Sequence, residues 1–136
     1  MQTTLATTLL PTTNLSRWSG RVLTGIPVLF LMFDIVIKLV GHPSVAEASE
    51  KLGLPVAQAP AIALVLACCL ALYLVPRTAV LGAVLLTGYL GGAVFVHVRV
   101  GNPLLSHVLF PVYVGAMLWG GLYLRDSRVR RLIAAR

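Results

Sequence analysis

The stretch GYLGGAVFVHVRVGNPLLSHVLFP, residues 88–111, decides how the rest of the chain is interpreted. It contains the end of one apolar segment and the start of the next, with a Gly-Asn-Pro turn between them. His97, Arg99 and His107 lie close to that turn. Ionisable side chains inside or at the edge of a membrane are costly to keep there, so function is the first hypothesis for these three.

The composition is that of an integral membrane protein. Of the 136 residues, 58% are apolar and 11% are charged, and the mean hydropathy is +0.91. A soluble domain carries about a quarter of charged residues. Four runs are long enough to cross a bilayer, which takes about 20 mostly apolar residues: residues 17–40, 56–75, 78–100 and 104–124. Backbone in lipid must satisfy its own hydrogen bonds, so we predict an all-α fold, a bundle of four transmembrane helices.

The net charge of +7 is a signal of topology and of attraction to lipid head groups, and we do not expect nucleic-acid binding. In a four-span arrangement only Lys38, Lys51 and Arg99 fall on one side. The positive-inside rule then places both termini in the cytoplasm. The other side carries the remaining basic residues, which are Arg17, Arg21, Arg77, Arg125, Arg128, Arg130, Arg131 and Arg136.

We divide the chain into a Thr-rich cytoplasmic tail (residues 1–15), a transmembrane domain (16–125) and a basic cytoplasmic tail (126–136). Residues 41–53, GHPSVAEASEKLG, predict a short amphipathic helix on the outer membrane surface, either a lid or a plain connector. Ser44 and Glu47 have the spacing of a capping box at its start. The adjacent Cys68 and Cys69 are interpreted as packing residues, because no C-x-x-C motif is present.

The first span contains an acid and a base four residues apart, Asp34 and Lys38, which therefore share one face of the helix. Lys38 is long enough to reach the membrane surface, whereas Asp34 is too short to do so. Two interpretations stay open: the two charges neutralise each other, or Asp34 is a functional carboxylate.

The third and fourth spans carry the remaining polar residues of interest. His97 and Arg99 lie about 200° apart around a helix, so they cannot both face the interior. Gly88 and Gly92 form a GxxxG face that suits either a homodimer or close packing within the chain. In the fourth span, a proline four residues after His107 leaves the carbonyl of His107 without its helical partner.

Several helices thus carry ionisable residues at one end of the bundle, which predicts a shared polar pocket in the outer half. Its candidate ligand-binding residues are Asp34, Lys38, His97, Arg99 and His107, with His42 at the rim. Four interpretations compete: a site for the head group of a quinone or similar lipophile, a proton-linked permeation path, a haem or zinc site, and ordinary interfacial residues. No H-x-x-x-H spacing supports a metal, so we assign no metal ligand. Catalytic residues cannot be assigned from these patterns.

The segments LFLMFDIVIKL (29–39) and YLVPRTAVLGAVLLTGYLGGAVFVHVRVGNPLLSHVLFPVYVGAMLWGGLYLRD (73–126) resemble the DoxX-like group of small bacterial membrane proteins. The resemblance covers nearly the whole chain after the Thr-rich tail. It implies a four-helix inner-membrane protein, and the wider family includes subunits of thiosulfate:quinone oxidoreductase and partners of redox enzymes. We therefore expect a quinone-binding or lipophile-binding component of a membrane redox system, with a redox protein as partner. The alternative is a non-catalytic scaffold subunit or a small proton-linked transporter.

Overall fold

A computed structural model of the protein describes residues 14–135. The predicted Thr-rich tail falls almost entirely outside these residues, as does Arg136. In the described part, a 3₁₀ turn (Val56–Gln58) leads into α3 and a π turn (Leu104–Val108) leads into α5. The α-helices are α1 (Asn14–Leu39), α2 (Pro43–Lys51), α3 (Ala59–Leu74), α4 (Ala79–Arg99), α5 (Phe110–Arg125) and α6 (Ser127–Ala134).

The four predicted spans are confirmed. Asn14–Leu39, Val56–Leu74, Ala79–Arg99 and Leu104–Arg125 are each long and apolar enough to cross a membrane. Helices α1 and α4 each pack against both α3 and α5, so the four spans form a closed ring in which α1 and α4 are diagonal. Large apolar side chains such as Leu29 and Phe95 cover the outside of this ring, where a bilayer would contact them.

The two ends of the bundle differ in chemistry. The end that we call the arginine end carries the start of α1, the α3–α4 turn and α6. Contacts hold these elements together. One of them is a hydrogen bond from the Arg128 guanidinium in α6 to the carbonyl of Pro76 in the α3–α4 turn. The opposite end, the histidine end, carries α2 and the α4–α5 turn.

The core is closely packed where α3 meets α4 and α5. Tyr73, Leu66 and Leu122 are completely buried, and the Tyr73 hydroxyl donates to the carbonyl oxygen of Leu118 at 2.6 Å. At Gly82 a Cβ atom would overlap the backbone of Tyr73, so glycine is required for α3 and α4 to approach this closely. The hydrogen bond and the glycine contact together fix α3 against both α4 and α5.

Gly88 and Gly92 do not take part in packing within the chain. A Cβ built at either position meets no atom within 4 Å, and both residues are exposed. Of the two uses that the sequence left open for this GxxxG face, close packing within the chain is therefore excluded among residues 14–135.

The short helix between the first and second spans is confirmed as α2, but the predicted capping box is wrong. The N-cap is His42, whose Nδ1 accepts a hydrogen bond from the Ser44 backbone N–H at 3.2 Å. Pro43 takes the first helical position, where its missing N–H has no cost. Val45 is the buried residue of α2.

The chain reverses between α4 and α5 in a way that the sequence indicated only in part. Gly101 has a φ of +72°, and the Asn102 N–H donates to the carbonyl of His97 at 3.1 Å, as in a Schellman motif. Residues 104–108 then form a π turn instead of the first turn of an α-helix. Near the C-terminus, most of the predicted basic tail is helix α6.

Candidate functional site at the histidine end

Asp34 and Lys38 form an ion pair within α1, as their spacing indicated. Both side chains are mostly covered by the protein, with exposed fractions of 27% for Asp34 and 20% for Lys38. The Lys38 ammonium lies 3.5 Å from the hydroxyl of Tyr89, which reaches it from α4. Because the two charges neutralise each other, the pair lies in the span without placing a net charge there.

The two histidines of the third and fourth spans meet at the α4–α5 turn. The rings of His97 and His107 lie 5.9 Å apart, centroid to centroid, in an edge-to-face arrangement. The side-chain amide of Asn102 donates to Nδ1 of His97 at 2.7 Å, which leaves the proton of the neutral imidazole on Nε2. Nδ1 of His107 pairs with the Ser106 hydroxyl at 2.8 Å. His97 is half-buried and His107 is exposed, so this histidine pair is accessible from outside.

An apolar groove lies in the seam between α4 and α5 and begins about one helical turn from the two histidines. It begins at Val94, three residues before His97, and at Pro111, four residues after His107. At its other end, Trp119 Nε1 donates to the Thr87 hydroxyl at 2.8 Å, and that hydroxyl donates to a carbonyl of its own helix. These polar groups are therefore satisfied within the protein. The groove is lined by Thr87, Leu90, Gly91, Val94, Pro111, Val112, Gly115, Ala116 and Trp119.

Arg99 points away from the histidine pair. Its guanidinium donates to the carbonyl oxygen of Leu52, the C-cap residue of α2, at 2.6 Å. A Cβ at Gly53 would lie 3.3 Å from the same nitrogen, so glycine leaves room for this contact. The predicted divergence of His97 and Arg99 is confirmed, and Arg99 ties the surface helix α2 to the end of α4.

The predicted site residues thus do not form one contiguous site. They form two separate clusters, and Arg99 instead bonds α2 to the end of α4. One cluster is Asp34, Lys38 and Tyr89, and the other is His97, Asn102 and His107. Within residues 14–135, no hydrogen bond, ion pair or ring contact links the two. His42, expected at the rim, caps α2. Both clusters lie towards the histidine end, as the sequence indicated.

Two polar residues of these clusters were not identified as site residues from the sequence. Tyr89 was not distinguished from the other apolar residues of its span. A hydroxyl in the middle of such a span is nevertheless an indication of a polar site. Asn102 was interpreted only as part of a turn. Its contact with His97 requires the Schellman geometry, which returns the chain beside the last turn of α4.

In the described part of the chain, no group of three or more His, Cys, Asp or Glu side chains is arranged to hold a metal ion. Both cysteines are free thiols, Cys68 exposed and Cys69 buried. The chemistry available at the histidine end is therefore that of imidazole, carboxylate, ammonium and phenol groups.

The fold and the site together define a multi-pass membrane protein, a four-helix bundle with polar clusters at one end and an apolar groove below one of them. The family model described as the DoxX-like family matches residues 22–121, which include both clusters and the groove, and the chain belongs to that family. No curated protein and no solved structure matches the chain.

Proposed function

We propose that this protein binds a quinone or a similar lipophilic small molecule at the histidine end, as part of a membrane redox system. The observation that carries the proposal is that the histidine pair lies about one helical turn beyond one end of an apolar groove. A molecule with a polar head and an apolar tail needs this combination. Its tail would lie along the α4–α5 seam, and its head would reach the two imidazoles.

The imidazoles suit the head group of a quinone. His97 Nε2–H is available to donate to a carbonyl oxygen, because Nδ1 already accepts from Asn102. Imidazole also gains and loses protons near neutral pH, and a quinone takes up protons when it is reduced. In this proposal the chain holds the head group and exchanges protons with it, while electrons come from a redox partner protein. We assign no catalytic residue.

The Asp34–Lys38–Tyr89 cluster supports the same proposal as a second polar group within the span. A carboxylate, an ammonium and a phenol in contact make a second place in the bundle where a proton can be held. The same cluster would serve a small proton-linked transporter, which stays an alternative prediction. Arg99 would act indirectly, by holding α2 over the histidine end.

A second candidate function is that of a scaffold that assembles through the Gly88 and Gly92 face. The specific observation in its favour is that a Cβ at either glycine meets no atom within 4 Å, so another helix would be able to approach. A homodimer is the simplest assembly of this kind. These two glycines do not line the α4–α5 groove, although Gly91 between them does.

The cellular setting is likewise a proposal. Exposed arginines at the arginine end, among them Arg17, Arg21 and Arg77, support an orientation in which that end faces the cytoplasm. With membership of the DoxX-like family, this suggests the inner membrane of a bacterium, with both chain termini in the cytoplasm. Residues 16–125 would then be the transmembrane domain.

Adjacent glycines allow the two functions to be tested with matched variants. Gly91→Leu fills the groove, whereas Gly92→Leu places the same side chain on the neighbouring face. We would purify each variant gently in detergent, extract it, and quantify retained lipophiles by mass spectrometry against the wild type and His97→Ala. The mass of the protein in its detergent micelle would be measured in parallel by light scattering.

For the lipophile proposal, we expect the wild type and Gly92→Leu to retain a quinone or related molecule, and Gly91→Leu and His97→Ala to lose most of it. Identical lipophile content in all four folded proteins would refute the proposal.

For the scaffold candidate, we expect Gly92→Leu alone to reduce the assembled mass. A monomeric wild type would exclude the homodimer.

A further inference from the structure

Helix α6 is a docked element and not a loose tail. Its N-cap, Asp126, accepts a hydrogen bond from the Arg128 N–H at 2.9 Å, and Val129 is only 2% exposed. The Arg130 guanidinium donates to the carbonyls of Tyr123 and Leu124, each at 3.0 Å. These bonds, together with the one from Arg128 to Pro76, hold α6 across the arginine end.

One apolar stripe of α6 extends beyond the bundle. Val129, Leu132 and Ile133 are spaced three and four residues apart, so they share one side of the helix. Val129 packs into the core, but Leu132 is 67% exposed and Ile133 is 60% exposed. The stripe therefore starts against the bundle and continues past its edge. This edge lies at the end of the candidate spans, where the head groups of a bilayer would contact it.

The arginine end of the described chain also carries cations without a partner. Among residues 14–135, no hydrogen bond or ion pair engages the side chains of Arg17, Arg21, Arg77 or Arg131, and all four are exposed. Asp126 is the single acidic residue at this end of the described chain, and it is already paired with Arg128. Because Arg131 is three residues beyond Arg128, it lies on the side of α6 that bonds the Pro76–Arg77 turn.

We propose that α6 and the α3–α4 turn form a binding surface for the head groups of anionic phospholipids. Leu132 and Ile133 enter the boundary between head groups and acyl chains, where exposed apolar residues of an interfacial helix are favoured. Arg131 and Arg77 bind the lipid phosphates, whose charge complements the unpaired guanidinium groups. This surface is at the opposite end from the proposed lipophile site and does not depend on it.

The experiment uses the full chain in a neutral detergent, with native mass spectrometry to count bound lipids. Phosphatidylglycerol and phosphatidylcholine are titrated separately against the wild type, Arg131→Gln and the double variant Arg77→Gln, Arg131→Gln. The matched control is Lys51→Gln, which removes one exposed positive charge at the histidine end. Neither the Arg77 nor the Arg131 side chain makes a hydrogen bond within the described chain, so the variants are expected to fold.

We expect the wild type to bind phosphatidylglycerol more tightly than phosphatidylcholine. Arg131→Gln should weaken phosphatidylglycerol binding about fivefold, since one arginine near an anionic surface contributes about that factor. The double variant should weaken it further, and Lys51→Gln should leave it unchanged. A variant with Leu132→Ser and Ile133→Ser should weaken the binding of both lipids.

Three results would overturn the proposal. The first is equal binding of the two lipids by the wild type. The second is an equal loss in Lys51→Gln and Arg131→Gln, which would indicate an effect of net charge alone. The third is displacement of phosphatidylglycerol by millimolar inorganic phosphate, which would indicate a site for free phosphate instead of a lipid surface.

Discussion

The two ends of this bundle differ in how deeply their polar side chains are buried. At the arginine end, the completely buried Tyr73 hydroxyl bonds to the carbonyl of Leu118 between two spans. At the histidine end, the pairs of Asp34 with Lys38 and of His97 with Asn102 are only part-buried. A buried bond between spans stabilises the fold, whereas part-buried pairs leave part of each group accessible. We therefore expect stability to depend more on the arginine end, and we expect the proposed chemistry at the histidine end.

The largest expected difference in the free energy of unfolding is between substitutions at two glycines of α4. Gly82→Leu should lower the free energy of unfolding by about 3 kcal/mol or prevent folding, because its Cβ overlaps backbone of α3 that cannot move aside. Gly92→Leu should fold normally, since the space at that position is open. Denaturant unfolding in detergent would measure both, and a Gly82→Leu variant as stable as Gly92→Leu would contradict the comparison.

A smaller difference is expected between two tyrosines. Tyr73→Phe removes a buried hydrogen bond between α3 and α5 and should cost about 1 kcal/mol. Tyr113→Phe should cost almost nothing, because that hydroxyl is exposed and 3.4 Å from its acceptor on Leu105. The same unfolding measurement compares them, and equal costs would show that long-range bonding at the arginine end has no special weight.

The smallest effect is a local response to acid at α6. The hydrogen bond from the Arg128 side chain lowers the pKa of Asp126 below its usual 3.8. A lowered pKa means that the docked helix favours the carboxylate, so its stabilisation is complete above that usual value and is lost as the pH falls through the lowered pKa. Below about pH 4, the methyl resonances of Val129 should shift towards solvent-exposed values.

Asp126→Asn is the control for this acid response. It removes the ionisable group but keeps an N-cap, so its Val129 resonances should not change with pH over the same range. Signals from α2, at the other end, should stay constant in both proteins. An acid response that persists in Asp126→Asn would assign it to another group.

The sequence predicted most of the fold because membrane spans are identified from local composition. Four apolar runs gave the four spans within a few residues, and residues 41–53 gave the short helix α2. The capping box failed because Ser44 and His42 both have side chains that can accept a backbone hydrogen bond, and Pro43 at the first helical position selects the earlier residue.

The site was predicted less completely. Helical periodicity placed Asp34 beside Lys38 and separated His97 from Arg99, since both relations lie within one helix. It did not reveal Tyr89 beside Lys38, because that contact crosses between diagonal helices. The sequence analysis also predicted one shared pocket where the structure has two clusters. The depth of a residue along its helix can be estimated from sequence, but the side of the bundle that the residue faces cannot.

The sequence by itself determined the class of protein, the number of spans and the end of the bundle that carries Asp34, Lys38 and the two histidines of the spans. These follow from hydropathy, helical periodicity and the cost of charge in lipid, which are all local properties. Only the tertiary structure decided which glycines bring helices together, where Arg99 and α6 dock, and that a groove lies under the histidine pair. Those features depend on how the helices are rotated and packed against each other, and residues far apart in the chain set that rotation together.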